Sequence, residues 1–398
     1  MYIFKLKNVS LFFLYFSRFF LTTIIGQVLI LLCIRKTSMP LRIYAYIFIV
    51  FCYWLIVLSF GSTLVGPKHL LFYFSFIPPL ILLFTSDERG FIELITVKFI
   101  VTICVLIIIE ALLVNSSFIS YMYFFPSEGS SERVQMFGFY QRPLGVAGNS
   151  SMTSVILIFS LSLRDAIKKS FSRTLYGNKA GDGIDFTANP TSFLNYPVIF
   201  VSLSIFILMS GMGFILLLLY YVLLIFEKKT LNGRNVFSLL IILLALSGLT
   251  YVWNYDFEVN KFSFDYFIYL VEFKIIDVLG EWANLNAGGY LKILFGGQID
   301  LDAIDVLTSS DFGYLVMYKA IGLLGVLLVL ATPLLFASSL IVFVRTTIFF
   351  YASFLHYPGL LSPPGTILFS LYLYLLHSYE MENKKARCKK SLQTTAIG

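Results

Sequence analysis

Long uninterrupted apolar runs recur along the whole chain and are separated by shorter polar segments. A run of about 20 apolar residues can cross the hydrocarbon core of a bilayer as a helix. Only helices and closed barrels satisfy their backbone hydrogen bonds in that environment. The strands of a membrane barrel alternate apolar and polar residues, and these runs do not. The pattern therefore predicts an all-α, polytopic integral membrane protein, with residues 1–398 forming a single membrane domain.

The apolar runs predict about eleven transmembrane helices, with ten to twelve as the range. The run at 314–344 is longer than one span needs, so we expect it to begin as a tilted or partly buried segment. The predicted spans are 17–34, 43–65, 69–85, 91–114, 143–163, 193–209, 212–226, 235–253, 314–344, 346–357 and 365–379.

Composition and charge narrow the class further. Hydrophobic residues make up 58 % of the 398 residues and charged residues 13 %, whereas soluble domains contain roughly 25 % charged residues. Such a chain is too apolar for a soluble globular protein and for a disordered one. The net charge of +7 comes from positive residues divided among short loops. Membrane orientation explains that distribution, so no nucleic-acid partner is expected.

Positive residues also predict the orientation, because the side of the membrane that is richer in Lys and Arg is usually cytoplasmic. Lys5 and Lys7 then fall on the external side, unless residues 1–16 lie along the membrane interface or the number of spans is off by one. The predicted cytoplasmic segments, which hold 18 of the 29 Lys and Arg residues, are 35–42, 86–90, 164–192, 227–235, Arg345 and the basic tail 380–398.

Two predicted external loops, 115–142 and 254–311, are much longer than a connection between helices requires, which is typical of functional segments. Apolar residues at helical spacing between Lys261 and Leu279 predict a helix on the membrane surface within the second loop. The two loops hold 12 of the 22 acids and few cations. Acids accept hydrogen bonds from sugar hydroxyls and cations hold phosphate, so the loops suit hydroxyl-rich molecules. A solvated outer surface is the simpler interpretation of most of these acids.

A first motif, Arg142-Pro-Leu-Gly145-Val-Ala-Gly148-Asn149, leads from the first external loop into a predicted span. Gly145 and Gly148 permit a bent backbone or close helix packing. Asn149 brings a polar side chain into the outer part of the membrane, where such a group is either functional or a hydrogen-bonding contact between helices.

A second motif, Ser210-Gly-Met-Gly213, is a tight external turn between two predicted spans. A simple helix hairpin explains it equally well. A third motif comprises Gly296-Gly297, Asp311-Phe-Gly-Tyr and Gly322-Leu-Leu-Gly at the end of the second loop. Asp311 follows Thr308 at the spacing of a capping box, so it either starts a helix or belongs to a site at that helix terminus.

In this order and spacing, the three motifs resemble the O-antigen polymerase (Wzy-type) family of bacterial polysaccharide assembly, within the O-antigen polymerase and ligase superfamily. A short external turn with His and Pro before the last span, here His356 to Pro364, belongs to the same resemblance, which covers roughly 115–380. Many relatives carry an arginine in the second motif, where this chain has Gly211 and Met212. Related O-antigen ligases carry a histidine at the position of Asp311.

The resemblance implies a GT-C-like membrane glycosyltransferase of the bacterial inner membrane that joins oligosaccharide repeat units linked to undecaprenyl diphosphate. Arg142 is the first candidate to stabilise the leaving diphosphate, followed by Lys261 and Lys274. Asp311 is the leading candidate for the base that accepts the proton of the acceptor hydroxyl. The predicted substrate-binding residues are Gly145, Asn149, Asp265, Glu272, Gly296 and Gly297.

The partners that the resemblance implies are the lipid-linked oligosaccharide, membrane lipid and a chain-length regulator protein. No metal or other cofactor is expected, because the four Cys and three His are scattered without the spacing of metal ligands. Two alternatives remain open. One is an O-antigen ligase that transfers glycan to lipid A core, and the other is a flippase or transporter for the lipid-linked oligosaccharide.

Overall fold

The structure is a computed structural model, and it is mostly helical. The residues that it describes are 2–16, 20–34, 39–59, 72–85, 88–116, 136–137, 140–171, 196–228, 268, 272, 290–296, 313–337, 340, 343–356 and 358–395.

Within these ranges the helices pack around one apolar core. The first six helices are α1 (Tyr2–Tyr15), α2 (Phe20–Cys33), α3 (Leu41–Ser59), α4 (Ile77–Thr85), α5 (Arg89–Glu93) and α6 (Val97–Asn115). Two short antiparallel strands, β1 (Met136–Phe137) and β2 (Tyr140–Gln141), come next. The remaining helices are α7 (Ser150–Phe171), α8 (Tyr196–Leu208), α9 (Gly211–Lys228), α10 (Tyr290–Phe295), α11 (Gly313–Leu330), α12 (Thr332–Phe336), α13 (Val344–Ala352), a 3-10 turn (Gly359–Leu361) and α14 (Pro363–Thr395).

The described helices confirm the helical membrane class. They include fewer candidate spans than the eleven that the sequence predicts. Four of them are long and apolar enough to cross a membrane: Leu41–Ser59, Val97–Asn115, Ser150–Lys168 and Gly313–Phe336. Shorter apolar helices lie at Ile24–Cys33, Pro197–Leu208 and Gly211–Leu224. The predicted span 235–253 lies outside the described residues.

Two predicted spans differ from the structure for local reasons. The run 143–163 is helical only from Ser150, because Pro143 and the glycines that follow it form a loop, and the helix then continues to Phe171. Arg164 therefore lies inside a helix and does not begin a cytoplasmic loop. The run 346–357 contains α13, whose nine residues extend about 13 Å, which is less than half of a bilayer core of about 30 Å.

Helices α7 and α14 lie at the centre, and α3 lies at the periphery. Nearly all side chains of α7 between 150 and 167 are buried, and its Phe159 ring packs edge-on against Tyr372 of α14 at 5.7 Å. Helix α3 buries a single stripe of residues and exposes large apolar side chains such as Phe48 and Leu55 on its other faces. Exposed apolar faces of this kind are what a lipid-facing helix presents.

Aromatic rings and hydroxyls fasten α14 to its neighbours. The Phe369 ring lies 4.5 Å from Phe76 and stacks on Phe350 of α13 at 4.8 Å. The Ser370 hydroxyl donates a hydrogen bond to the Phe76 carbonyl at 2.7 Å, and the hydroxyls of Thr347 and Tyr372 lie 2.6 Å apart. Helix α14 has 33 residues and is about 50 Å long, so it includes most of the predicted tail 380–398.

A buried ionic cluster joins α7, α9 and α13. Asp165 of α7 is 2 % exposed, and its Oδ2 accepts hydrogen bonds from Arg345 Nη2 and from the Tyr220 hydroxyl, each at 2.7 Å. The Arg345 guanidinium also lies 5.1 Å from the centre of the Tyr220 ring. Arg164 Nη1 lies 3.5 Å from Asp165 Oδ1. Arg164 and Arg345, which were both predicted to face the cytoplasm, thus meet at one carboxylate.

Helix α1 contains Lys5 and Lys7, the two positive residues that the predicted orientation puts on the external side. Lys7 is buried, and its Nζ lies 5.7 Å from the centre of the Phe91 ring. Gly90, in the segment 86–90 that was predicted to be cytoplasmic, packs between the side chains of Asn8 and Lys7. This contact puts Lys7 beside a predicted cytoplasmic segment, so it favours the alternative in which the number of spans is off by one.

We expect Asp165→Ala to destabilise the protein strongly. Removing one partner of a buried ion pair leaves the other charge without compensation, which costs roughly 3–5 kcal/mol. Thermal or denaturant unfolding of the purified protein in one detergent measures the loss. The control is Arg42→Ala. The Arg42 side chain is 59 % exposed, and its buried partner Glu380 keeps a second ion pair with Lys384 at 2.6 Å, so we expect a loss of about 1 kcal/mol or less. Equal stability of the two variants would contradict the assignment.

Candidate functional site

The first motif forms a loop that leads from β2 into α7 and caps that helix. Asn149 Oδ1 accepts hydrogen bonds from the backbone N–H groups of Ser151 and Met152, at 2.9 and 3.2 Å. Asparagine is preferred at this position because the first N–H groups of a helix have no partner within it. Asn149 therefore caps α7, and these two N–H groups do not bind an anion. The predicted role of Asn149 in substrate binding stays a prediction.

Gly145 lets this loop fold back on the first turn of α7. Its φ of 69° lies in the left-handed region, and a Cβ atom there would overlap the Thr153 side chain. Thr153 Oγ1 donates a hydrogen bond to the Leu144 carbonyl at 2.8 Å and accepts one from the Ala147 N–H at 3.2 Å. Both backbone conformation and space thus require glycine at position 145.

Glu110 of α6 holds the same loop from the opposite side. Its two carboxylate oxygens accept hydrogen bonds from the N–H groups of Leu144 and Gly145, both at 3.2 Å. A carboxylate within an apolar helix is costly unless such partners are present. The sequence identified Glu110 only as an acid within a span, because nothing in the pattern connects it to a loop 34 residues further along.

Tyr140 of β2 fixes the start of the loop against the end of α8. Its hydroxyl donates a hydrogen bond to the Ile207 carbonyl at 2.7 Å. Burial, together with the nearby Glu110 carboxylate, raises the pKa of Tyr140 to about 12. The hydroxyl therefore keeps its proton at neutral pH, and this hydrogen bond persists.

The second motif packs against the first turn of α7. The Ser210 Oγ accepts a hydrogen bond from the Gly213 N–H at 3.0 Å and so caps α9, and the same hydroxyl donates to Ser151 Oγ at 3.2 Å. A Cβ atom on Gly213 would lie 2.7 Å from Ser154 Oγ, so a larger residue there would push α9 away from α7. The helix hairpin that was the simpler interpretation is present, and it lies directly beside the first motif.

The start of α11 packs against the turn that follows α13. The Tyr314 N–H donates a hydrogen bond to the Phe354 carbonyl at 3.1 Å, and the Tyr314 hydroxyl donates to the Tyr351 carbonyl at 2.7 Å. Gly313 lies against the carbonyl groups of Phe354 and His356, with no space for a side chain. The end of the third motif that is described, Gly313–Tyr314, is thus anchored at the predicted His and Pro turn.

The turn after α13 also packs against α7. A Cβ atom on Gly359 would lie 3.1–3.2 Å from Val155 and Met152 of that helix. The first turn of α7 therefore contacts both the second motif and the segment after His356. We call this assembly the motif cluster. It comprises the first motif with the first turn of α7, the second motif, and the Gly313–Tyr314 contact with the turn after α13.

Gly296 and Gly322 form a separate contact within the third motif. Both have positive φ, 80° and 63°, and each backbone occupies the space that a Cβ on the other would need. Gly322 interrupts α11, and the carbonyl of Ile321 beside it accepts a hydrogen bond from the Tyr53 hydroxyl at 2.6 Å. Because Gly322 lies nine residues after Gly313, about 13 Å along the helix, the glycine pair is not part of the motif cluster.

The other predicted site residues are placed only in part. Arg142 is half-buried at the start of the loop, directly after β2. Glu272 is helical and exposed, as is Ile268 four residues earlier, which agrees with a surface helix in the second loop. The predicted residues Lys261, Asp265, Lys274, Gly297 and Asp311 lie outside the described residues.

Chemically, the motif cluster offers a cation on a fixed loop. The loop that follows Arg142 is held by Glu110, by Thr153 and by the Asn149 cap, so its backbone has one well-defined course. A guanidinium at the start of such a loop can bind a phosphate through two parallel hydrogen bonds. The described residues alone do not identify a base for an acceptor hydroxyl.

Comparisons with known proteins found no match. No family model matches the chain, no curated protein is similar to it, and no solved structure resembles it.

We expect Gly145→Ala to disrupt the loop, because the variant needs a left-handed alanine and must displace Thr153. Left-handed strain costs roughly 1–2 kcal/mol and overpacking about 1–3 kcal/mol. Gly211→Ala is the matched control, since a Cβ at Gly211 meets nothing within 4 Å. Unfolding temperatures of the two purified variants measure the difference. A Gly145→Ala protein as stable as Gly211→Ala would show that the loop conformation is wrong.

Proposed function

We propose that this chain is a polysaccharide polymerase, a membrane glycosyltransferase that joins lipid-linked oligosaccharide repeat units on the external face of the membrane. The donor is a glycan on undecaprenyl diphosphate, and the acceptor is a sugar hydroxyl of the next lipid-linked repeat. The proposal includes about eleven spans, a GT-C-like architecture, the bacterial inner membrane and a chain-length regulator as partner.

One observation carries the proposal: motifs that are far apart in the chain converge on the first turn of α7. Ser210 lies 59 residues from Ser151, yet their hydroxyls are 3.2 Å apart. Gly359, after the His356 turn, packs against Met152 of the same helix turn. Convergence of this kind is what the parts of one site require.

The reaction assigns a role to each kind of side chain. The acceptor oxygen attacks the anomeric carbon of the donor sugar, the bond from that carbon to the diphosphate oxygen breaks, and the hydroxyl proton passes to a carboxylate. Arg142 stabilises the charge that develops on the departing undecaprenyl diphosphate, with Lys261 and Lys274 as further cations. Asp311 is the proposed base, ahead of Asp265 and Glu272. Gly296 and Gly297 shape the loop end, and no metal is required.

A transporter for the same lipid-linked glycan is the second candidate. The observation that favours it is the cluster of Arg164, Asp165 and Arg345, because buried charges within spans are typical of transport pathways. Purified protein in detergent separates the two candidates, since transport needs two compartments and polymerisation does not. Longer lipid-linked glycans formed from single repeats in detergent would exclude a pure transporter.

We expect Arg142→Ala to reduce polymer formation in that assay by roughly 100-fold or more, the usual effect of removing a group that stabilises transition-state charge. In a deletion strain, the variant should leave lipopolysaccharide core with a single repeat, whereas loss of a ligase leaves bare core. Arg142→Lys should retain part of the activity, since it keeps the charge but not the planar fork.

Arg42→Ala is the matched control for this experiment, because it removes an exposed arginine on the opposite predicted side. It should polymerise like the unaltered protein at equal protein level. Normal polymer length and amount from Arg142→Ala would remove Arg142 from the mechanism.

A further inference from the structure

Arg164 is a buried cation whose hydrogen-bonding capacity is largely unused. Its side chain is 0 % exposed, and its one ion pair, from Nη1 to Asp165, is long at 3.5 Å. Among the described residues, neither its Nε nor its Nη2 has a hydrogen-bond partner. Buried polar groups in proteins almost always have partners, so an unsatisfied guanidinium requires an explanation such as an ion.

The two unsatisfied nitrogens lie on one edge of the guanidinium. Nε and Nη2 carry N–H groups that point in the same direction, and this pair is the fork that binds two oxygens of a carboxylate or a phosphate in parallel. The unsatisfied edge of Arg164 is therefore a complete bidentate donor, and not two unrelated atoms.

The neighbouring carboxylate does not satisfy this edge. Asp165 Oδ2 accepts hydrogen bonds from Arg345 and Tyr220. Its Oδ1 lies 3.5 Å from Arg164 Nη1, the guanidinium nitrogen outside that edge. The Nε and Nη2 edge of Arg164 therefore still lacks an acceptor among the described residues.

We propose that Arg164 is the centre of an anion-binding site that takes a phosphate group through the Nε and Nη2 edge. Lys168 lies one turn further along α7, on the same helix face and partly exposed. Arg164 and Lys168 thus place two positive side chains on one face of α7, which suits a phosphate. The phosphate is either that of a lipid headgroup or free inorganic phosphate. This site lies about 20 Å from the start of α7, so it is independent of the proposed polymerase chemistry.

Thermal unfolding of the full-length protein tests the proposal with two probes. The first is inorganic phosphate added to protein in a neutral detergent, against chloride at equal ionic strength. The second is reconstitution into phosphatidylcholine vesicles with or without phosphatidic acid. We expect one probe to raise the unfolding temperature beyond its control, and the probe that does so identifies the source of the phosphate.

Arg164→Gln should weaken this stabilisation at least about tenfold in probe concentration, since it removes charge-assisted hydrogen bonds. Arg164→Lys should be intermediate, because it keeps the charge without the fork. Arg42→Gln makes the same charge change at an arginine that is 59 % exposed and should behave like the unaltered protein. If Arg164→Gln does not fold, the unaltered protein and Arg164→Lys decide. Absence of any phosphate-specific stabilisation of the unaltered protein, or equal stabilisation of an Arg164 variant, overturns the proposal.

Discussion

Backbone N–H and C=O groups that leave a helix in an apolar environment must find another hydrogen-bond partner, and this constraint shapes the described part of the molecule. At three of the described breaks, a polar side chain from elsewhere in the chain supplies that partner. Glu110 accepts the N–H groups of the loop before α7. The Tyr53 hydroxyl donates to the Ile321 carbonyl at the glycine break in α11. The Tyr351 hydroxyl donates to the Leu330 carbonyl at 3.0 Å, where α11 ends.

The same constraint explains why the motifs occur at helix breaks. A continuous helix in lipid presents only side chains to its surroundings, whereas a break exposes backbone groups and can hold a side chain such as Arg142 in one position. A break is costly unless its partners are arranged in advance. At the motif cluster, Asn149, Thr153 and Ser210 provide those partners for the two helices that begin there. The polar residues that satisfy the backbone thus also define the geometry of the proposed site.

The sequence predicted the helical membrane class and the polar breaks well, because apolar run length and glycine content are local properties. It placed Arg164 and Arg345 on one side of the membrane, which stays a prediction, and the structure brings the two side chains to one carboxylate. It did not predict Glu110 as the partner of the loop, or Tyr53 as the partner of Ile321, because both pairs join residues far apart in the chain. The end of the run 143–163 does not coincide with a helix end, because α7 continues to Phe171 with Arg164 and Asp165 buried within it.

Charge within the apolar core therefore has two different roles at the two ends of α7. At the start of the helix, the Glu110 carboxylate accepts hydrogen bonds from backbone N–H groups and so holds a loop in place. Towards the other end, Asp165 meets two guanidinium groups, and the Nε and Nη2 atoms of Arg164 have no hydrogen-bond partner among the described residues. A satisfied polar group is stable without a ligand, whereas a buried unsatisfied donor favours an acceptor that can reach it. The first arrangement suits a rigid loop, and the second suits the proposed anion site.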